Sequence, residues 1–184
     1  QAQLPDLKKY RQRVTGGFDF KRSNNDLAFG GVSAFRSVTD VAEFSLGYSG
    51  RTPDRFGSTG FSVTGFWSPG GMTENQRPRN YRASRALSDA EFAYGTLSFK
   101  RTWNLPRKVT LFTRFTGQLS SENLLGSDQL GFGGFSTLRG FEEREYNADE
   151  GCITNVELRS PKLALGKIGK TAEFASHLQV LAFW

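Results

Sequence analysis

One cysteine, one methionine and one histidine occur among the 184 residues of this chain, and these scarcities exclude several kinds of site. A lone Cys152 excludes an internal disulfide bond and a cysteine-based zinc cluster. A lone His177 excludes a multi-histidine metal site and leaves one candidate for a Ser-His-acid triad, but its place before an apolar run indicates a strand rim. The sequence therefore predicts no enzyme, no catalytic residue, no metal and no cofactor.

Long hydrophobic runs are also lacking, since no stretch approaches the ~18 to 20 apolar residues of a membrane helix. The net charge of +6 is scattered without a basic helix or an RNA-binding aromatic motif, which argues against nucleic acid as a partner. What the chain does contain is 17 phenylalanines at a hydrophilic mean hydropathy of −0.47. Membrane-spanning strands explain how a chain rich in phenylalanine can have a hydrophilic mean hydropathy. In such strands apolar and polar residues alternate, so their contributions to the mean hydropathy cancel.

Apolar and polar side chains alternate with period two along several stretches, which predicts β-strands. The regular stretches reach roughly 8 to 12 residues, closer to a spanning strand of ~9 to 11 than to the ~5 to 6 of soluble sheets. A soluble sandwich would show the same alternation, so the pattern alone leaves both folds open. The alternation is regular over 14–21, 42–51, 58–67 and 109–118 and weaker over 92–101, 128–133, 152–159 and 177–184.

The most specific motif is Leu138-Arg139-Gly140-Phe141, which follows the pair Gly133-Gly134. It lies between a Gly-Gln…Asn-Leu-Leu segment at 117–125 and two later segments, Asp149-Glu150-Gly151-Cys152 and Glu157-Leu158-Arg159-Ser160-Pro161. In this order the segments resemble the C-terminal half of two-partner secretion transporters, the haemolysin-activator or filamentous-haemagglutinin-transporter family. That family belongs to an outer-membrane superfamily that also contains the barrel-assembly insertases. Its signature is a [Val/Leu]-Arg-Gly-[Tyr/Phe] loop folded into the pore.

The resemblance implies an all-β fold, an antiparallel transmembrane β-barrel of roughly sixteen strands. Residues 1–184 would form one partial barrel domain of about eight of them. No secretory signal peptide precedes the first strand. The last four residues resemble the first half of the family's Phe-x-Asp-x-Gly strand motif. We therefore expect the remaining strands, and the periplasmic substrate-docking domains called POTRA domains, to belong to the same longer polypeptide.

The function that the resemblance implies is export of an unfolded, β-rich exoprotein through a pore in the cell outer membrane of a Gram-negative type bacterium. Its partners would be the secreted exoprotein and outer-membrane lipid. The alternation assigns each strand a lipid face and a lumen face. The residues expected to face lipid are Phe18, Phe20, Phe44, Leu46, Phe61, Val63, Leu111 and Phe115. Those expected to line the lumen are Asp19, Glu43, Ser45, Thr110, Arg114 and Gln118.

Arg139 is the residue to which the resemblance gives the clearest role. A guanidinium inside a barrel keeps its charge and must find a carboxylate or several carbonyl oxygens. In the family the partner is the Asp of Phe-x-Asp-x-Gly, which is expected just after residue 184. Within the chain the substitutes would be Glu142, Glu143, Glu145 or the strand residue Glu43. Gly140 would allow a tight turn beside Arg139, and Gly131, Gly133 and Gly134 would let the loop pass close to the wall. Glu142, Asp149 and Gly151 flank the loop.

Two rival functions remain at this point. A general outer-membrane barrel-assembly insertase shares the loop signature, and the number of POTRA domains would distinguish it from a secretion pore. A soluble β-sandwich adhesin belongs to a different class, and solubility of the isolated chain without detergent would favour it. The segments at 117–125 and 157–161 favour secretion.

Overall fold

The computed structural model describes residues 2–5, 9–29, 32–167 and 175–183, and long antiparallel strands dominate it. None of the helices in those ranges is long and apolar enough to cross a membrane. The helical elements are α1 (Pro78–Ser84) and one 3-10 turn (Pro106–Lys108). The strands are β1 (Ala2–Gln3), β2 (Arg11–Phe29), β3 (Val32–Asp54), β4 (Gly57–Pro69), β5 (Glu91–Asn104), β6 (Thr110–Ser120), β7 (Leu130–Phe132), β8 (Tyr146–Ala148), β9 (Gly151–Arg159), β10 (Leu163–Lys167), β11 (Ala175–Leu178) and β12 (Leu181–Phe183).

Eight of these strands form a single sheet in the order β1-β2-β3-β4-β5-β6-β9-β12. Every neighbouring pair in it is antiparallel. The sheet is open, because β1 and β12 do not pair with each other in the described residues. The all-β, antiparallel partial barrel that the family resemblance implies is therefore confirmed.

The cross-strand register sorts the side chains onto two chemically different faces. Phe18 lies opposite Phe44, and Phe44 lies opposite Trp67, so aromatic rings form a continuous band on what we call the apolar face. On the polar face Asp19 lies opposite Glu43. All eight residues predicted for one face, and all six predicted for the other, fall on the expected sides of this register.

Burial on the two faces is the reverse of that in a water-soluble sandwich. On the apolar face Leu46 is 67% exposed, whereas Glu43 on the polar face is 1% exposed. The chain's own connections cover the polar face around Glu43, whereas the apolar face is bare. A broad exposed apolar surface on a sheet indicates contact with lipid or another protein, and the aromatic band matches the girdle of membrane barrels.

Three parts of the strand assignment need correction. Residues 128–133 do not supply a strand of the main sheet, because β7 pairs only with β8 in a short hairpin. The 177–184 stretch divides into β11, which pairs with β10, and β12, which joins the main sheet, while Trp184 lies outside the described residues. No helix was assigned from the sequence, and the structure adds the short helix α1, which begins at Pro78 and buries Tyr81. Proline suits a helix start because its missing N–H is not needed there.

Two long connections leave the sheet at the same edge, which we call the loop edge. They are the helical connection (70–90) and the arginine loop (121–150), and they meet there because Tyr94 of β5 lies opposite Ser120 of β6. The Tyr81 hydroxyl donates to the Asp40 carbonyl at 2.9 Å and fixes α1 to β3. The small core under both connections consists of Val41, Phe66, Tyr81, Ala90, Phe92, Tyr94, Leu124 and Leu125.

A cysteine-labelling experiment tests the two faces at neighbouring positions. Cys152 is free and exposed, so it is first replaced by Ser. In native membranes a membrane-impermeant maleimide should label Ser45→Cys on the polar face and spare Phe44→Cys, because lipid would cover the aromatic band. Both should react in urea. Labelling of Phe44→Cys with protection of Ser45→Cys would contradict the predicted orientation of the sheet.

Candidate functional site

The arginine loop folds back over the polar face and is held there by side chains of the wall. The Asn155 side chain in β9 donates to the Thr137 carbonyl at 2.5 Å. Arg114 in β6 donates to the Ser136 carbonyl at 3.3 Å. Wall donors thus meet the carbonyls just before the Leu-Arg-Gly-Phe motif, which places that motif against the sheet.

Arg139 forms an ion pair with Glu157 of β9. Glu157 is 6% exposed and lies on the polar face, opposite Phe112. The Arg139 Nε also donates to the Phe135 carbonyl at 3.1 Å. The guanidinium carbon lies 4.5 Å from the Phe135 ring centre and 4.4 Å from that of Phe183 in β12. A planar cation between two rings gains from both stacking and charge.

Glu157 has a second cationic partner, Arg159, two residues along the same strand. Arg159 donates hydrogen bonds from Nε and Nη2 to Glu157 Oε2, at 3.0 and 2.7 Å. Arg139 donates to the other carboxylate oxygen, Oε1. One carboxylate therefore lies between two guanidinium groups. The Arg139 Nη1 is buried and has no hydrogen-bond partner in the described residues. The arginine thus retains donor capacity beyond Glu157.

Glycines shape the loop around the motif. Gly133 has a φ of +113°, and a Cβ there would lie 2.0 Å from the Glu142 carbonyl oxygen, so only glycine fits. Gly140 has a φ of +98° beside Arg139, as the predicted tight turn requires. The loop was expected to pass close to the wall at Gly133. Instead, Gly133 lies close to Glu142, in the returning segment of the same loop. Of the other motif residues, Leu138 and Phe141 are exposed.

Asp149 joins the arginine loop to the helical connection. Arg85, just after α1, makes a bidentate contact with it at 2.5 and 2.8 Å. Asp149 Oδ1 also accepts from the Leu124 amide at 2.9 Å and from the Gln129 side chain at 3.1 Å. The hydrogen bond from Arg85 lowers the pKa of Asp149 below its ordinary value. This loop flank is therefore an anchor with four hydrogen bonds.

A second contact between wall and loop forms around Lys21 of β2. Its ammonium lies 2.6 Å from Asp128 in the loop, 2.9 Å from Glu43 and 3.2 Å from Asp19. Gln118 of β6 donates to the carbonyls of Asp128 and Asp149 at 3.0 and 3.1 Å. Of the predicted lumen residues, Asp19, Glu43 and Gln118 thus gather at the loop edge, and Arg114 lies further along the wall.

None of the substitute partners suggested within the chain pairs with Arg139 in the described residues. Glu43 pairs with Lys21, and the arginine pairs with Glu157 rather than with Glu142, Glu143 or Glu145. In the sequence, Glu157 stands out only as the first residue of the Glu157–Pro161 motif. Its place on the polar side of the alternation in 152–159 was the signal that could have identified it. Gly151, the last flank, begins β9 opposite Gln118. No sequence pattern of this kind pointed to the roles of Lys21, Arg85 and Asp128.

Comparisons with known proteins identify the fold and the family of the chain. No curated protein sequence matches the chain. Among solved structures, CdiB from Escherichia coli is similar with a TM-score of 0.74 and 19% identity over 98% of this chain and 32% of CdiB. At that identity the likeness shows the fold alone, and this chain spans about a third of CdiB. A family model, described as haemolysin secretion/activation protein ShlB/FhaC/HecB, matches residues 9–177. The chain therefore belongs to the ShlB/FhaC/HecB family of haemolysin secretion/activation proteins.

Proposed function

We propose that this chain is part of an outer-membrane pore that exports an unfolded, β-rich exoprotein by two-partner secretion. The observation that carries the proposal is the ion pair between Arg139 and Glu157, which fixes the Leu-Arg-Gly-Phe loop to the polar face. In a closed barrel that face would line the lumen. The protein would act by transport and not by catalysis, with the exoprotein and outer-membrane lipid as partners.

The side chains of the polar face suit the passage of an extended chain. Across the middle of the sheet, Ser49, Ser62 and Ser98 lie side by side in register. Hydroxyl groups exchange hydrogen bonds readily with water and peptide. Such a wall holds an extended polypeptide weakly, because the exposed large apolar side chains of β2 to β6, which would bind it firmly, are on the opposite face. Folding of the exoprotein outside the cell would supply the direction of transport.

A clean deletion of the gene tests export against general barrel assembly. We expect one large exoprotein to disappear from the culture medium while the abundance of other outer-membrane barrels stays unchanged. Quantitative proteomics of medium and outer membrane measures both, and a plasmid copy of the gene provides the rescue control. A general loss of outer-membrane barrels would contradict secretion and favour the insertase alternative.

A further inference from the structure

A row of cations crosses the polar face near the edge opposite the two long connections. Arg11 lies directly opposite Arg51, and Lys100 lies directly opposite Arg114. Gly60 stands between Arg51 and Lys100 in the same register. We call Arg11, Arg51, Lys100 and Arg114 the cationic row. It runs across five neighbouring strands, from β2 to β6.

The charges of the cationic row are uncompensated within the described residues. None of its four members forms an ion pair there. The Arg114 Nε is buried and has no hydrogen-bond partner in the same part of the chain. Like charges directly opposite each other destabilise a sheet. Two such pairs in one row therefore weaken the sheet unless an anion binds between them.

The surroundings of the cationic row are those of an anion site. A cavity of about 380 Å³ adjoins Arg11, Arg51 and Lys100, and the hydroxyl groups of Ser49, Ser62 and Ser98 line the same cavity. Hydroxyl groups donate hydrogen bonds to anions. Gly60 has no side chain, and a Cβ placed there would meet nothing closer than a carbonyl oxygen at 3.8 Å. The centre of the row is therefore open to a ligand.

The net charge of the polar face differs between its two edges, because Glu157, the carboxylate on the side of the cationic row, lies between two arginines. Near the loop edge the carboxylates Asp19, Glu43 and Asp128 surround Lys21. At the opposite edge the cationic row is reinforced by Arg13, which lies opposite Ser49. A ligand with several negative charges would be repelled by the first region and attracted to the second. The acidic cluster thus restricts where such a ligand binds.

We infer that the cationic row binds the carboxylates of an extended acidic peptide segment. Neighbouring strands are ~4.8 Å apart, so a row across five strands covers roughly 19 Å, the length of about six extended residues. A small inorganic anion would contact only one of the two like-charged pairs. The inference rests on the proposed function, because the peptide would be a stretch of the exported chain in transit.

Binding of a fluorescent oligoglutamate peptide to the detergent-solubilised full-length protein tests the inference. The double variant Arg51→Gln/Lys100→Gln should bind at least about fivefold more weakly, with a smaller dependence on salt. The matched control is Arg55→Gln/Arg107→Gln, which removes the same charge from two exposed turn residues and should bind like the parent. Equal affinity of the row variant and the parent would overturn the inference, and so would competition by free phosphate as effective as that by the peptide.

Thermal unfolding of the same proteins gives a second readout that a purely structural role would not produce. Because the row is repulsive, Arg51→Gln/Lys100→Gln should unfold at a slightly higher temperature than the parent. A lower unfolding temperature would mean that these cations stabilise the sheet, which contradicts an anion site. The binding measurement does not depend on export. Intact secretion in the gene-deletion strain would therefore contradict the proposed function, whereas equal peptide binding by the row variant would contradict only the anion site.

Discussion

Replacing Arg139 by Ala should nearly stop export while the protein remains folded in the membrane. The substitution removes the pair with Glu157, the hydrogen bond to the Phe135 carbonyl and the contact with the Phe183 ring. Breaking a buried ion pair costs ~3 to 5 kcal/mol, and the lower end applies because Arg159 still neutralises Glu157. A loss of ~3 kcal/mol changes the ratio of docked to undocked loop by roughly a hundredfold.

The sheet itself should survive this change, because its backbone hydrogen bonds do not depend on the loop. Heat-modifiable migration on a gel reports the folded barrel, and the amount of exoprotein in the medium reports export. Arg139→Lys should be partly active, since a lysine can reach Glu157 but cannot stack between Phe135 and Phe183. Secretion at the parental level by Arg139→Ala would show that the loop signature has no function in this protein.

Glu157→Gln provides the reciprocal test of the pair. It leaves Arg139 and Arg159 close together without their shared carboxylate, so export should fall at least as far as with Arg139→Ala. The matched control is Arg82→Ala, which breaks an arginine–carboxylate pair with Asp89 on the surface of α1. The Arg82 side chain is 64% exposed, and exposed pairs contribute ~0 to 1 kcal/mol. Export by Arg82→Ala should therefore stay near the parental level.

Replacing Asp149 by Asn should release the arginine loop from the helical connection. The bidentate contact with Arg85 is lost, and hydrogen bonds to charged groups contribute ~1.5 to 3 kcal/mol. Hydrogen-exchange mass spectrometry should show faster exchange at the Leu124 amide, which donates to Asp149, and across the 121–150 loop. Export should fall, because the loop is then held at fewer points.

Glu150→Gln is the matched control for this anchor. It removes the same charge at the next residue, where the carboxylate is exposed and, within the part of the chain that the structure describes, accepts a single 3.4 Å hydrogen bond from the Ser120 amide. Exchange across 121–150 should then remain as in the parent. Equal loosening by both substitutions would mean that overall loop charge, and not the Arg85 contact, controls the loop.

The same anchor gives a pH dependence with a defined sign. The hydrogen bond from Arg85 lowers the pKa of Asp149 in the folded protein. Its stabilisation is therefore fully present above the ordinary Asp pKa of ~3.9 and is lost as the pH falls through the lowered value. Protection of the 121–150 loop in the parent should be constant around neutral pH and decrease only in strong acid. Protection in Asp149→Asn should lack this acid transition.

The sequence alone determined most strands of the main sheet, the faces of their side chains and the family resemblance. Period-two alternation is a local property, so Phe44 and Ser45 could be assigned to opposite faces without any knowledge of their neighbours. The motif at Leu138–Phe141 was recognisable because its residues are contiguous. The same local reasoning misassigned residues 128–133, because a short alternating segment has the same sequence pattern in a strand of the main sheet and in a hairpin within a loop.

Only the tertiary structure decided which charges meet. Lys21 and Asp128 are 107 positions apart, and Arg85 and Asp149 are 64 apart, so no local pattern links them. Glu157 rather than Glu142 became the partner of Arg139 because the loop folds back over β9. The cationic row likewise arises from the register of five strands, in which Arg11, Arg51, Lys100 and Arg114 align across the sheet although each is unremarkable in its own strand. Cross-strand register depends on the whole sheet, and that is why these contacts could not be read from the sequence.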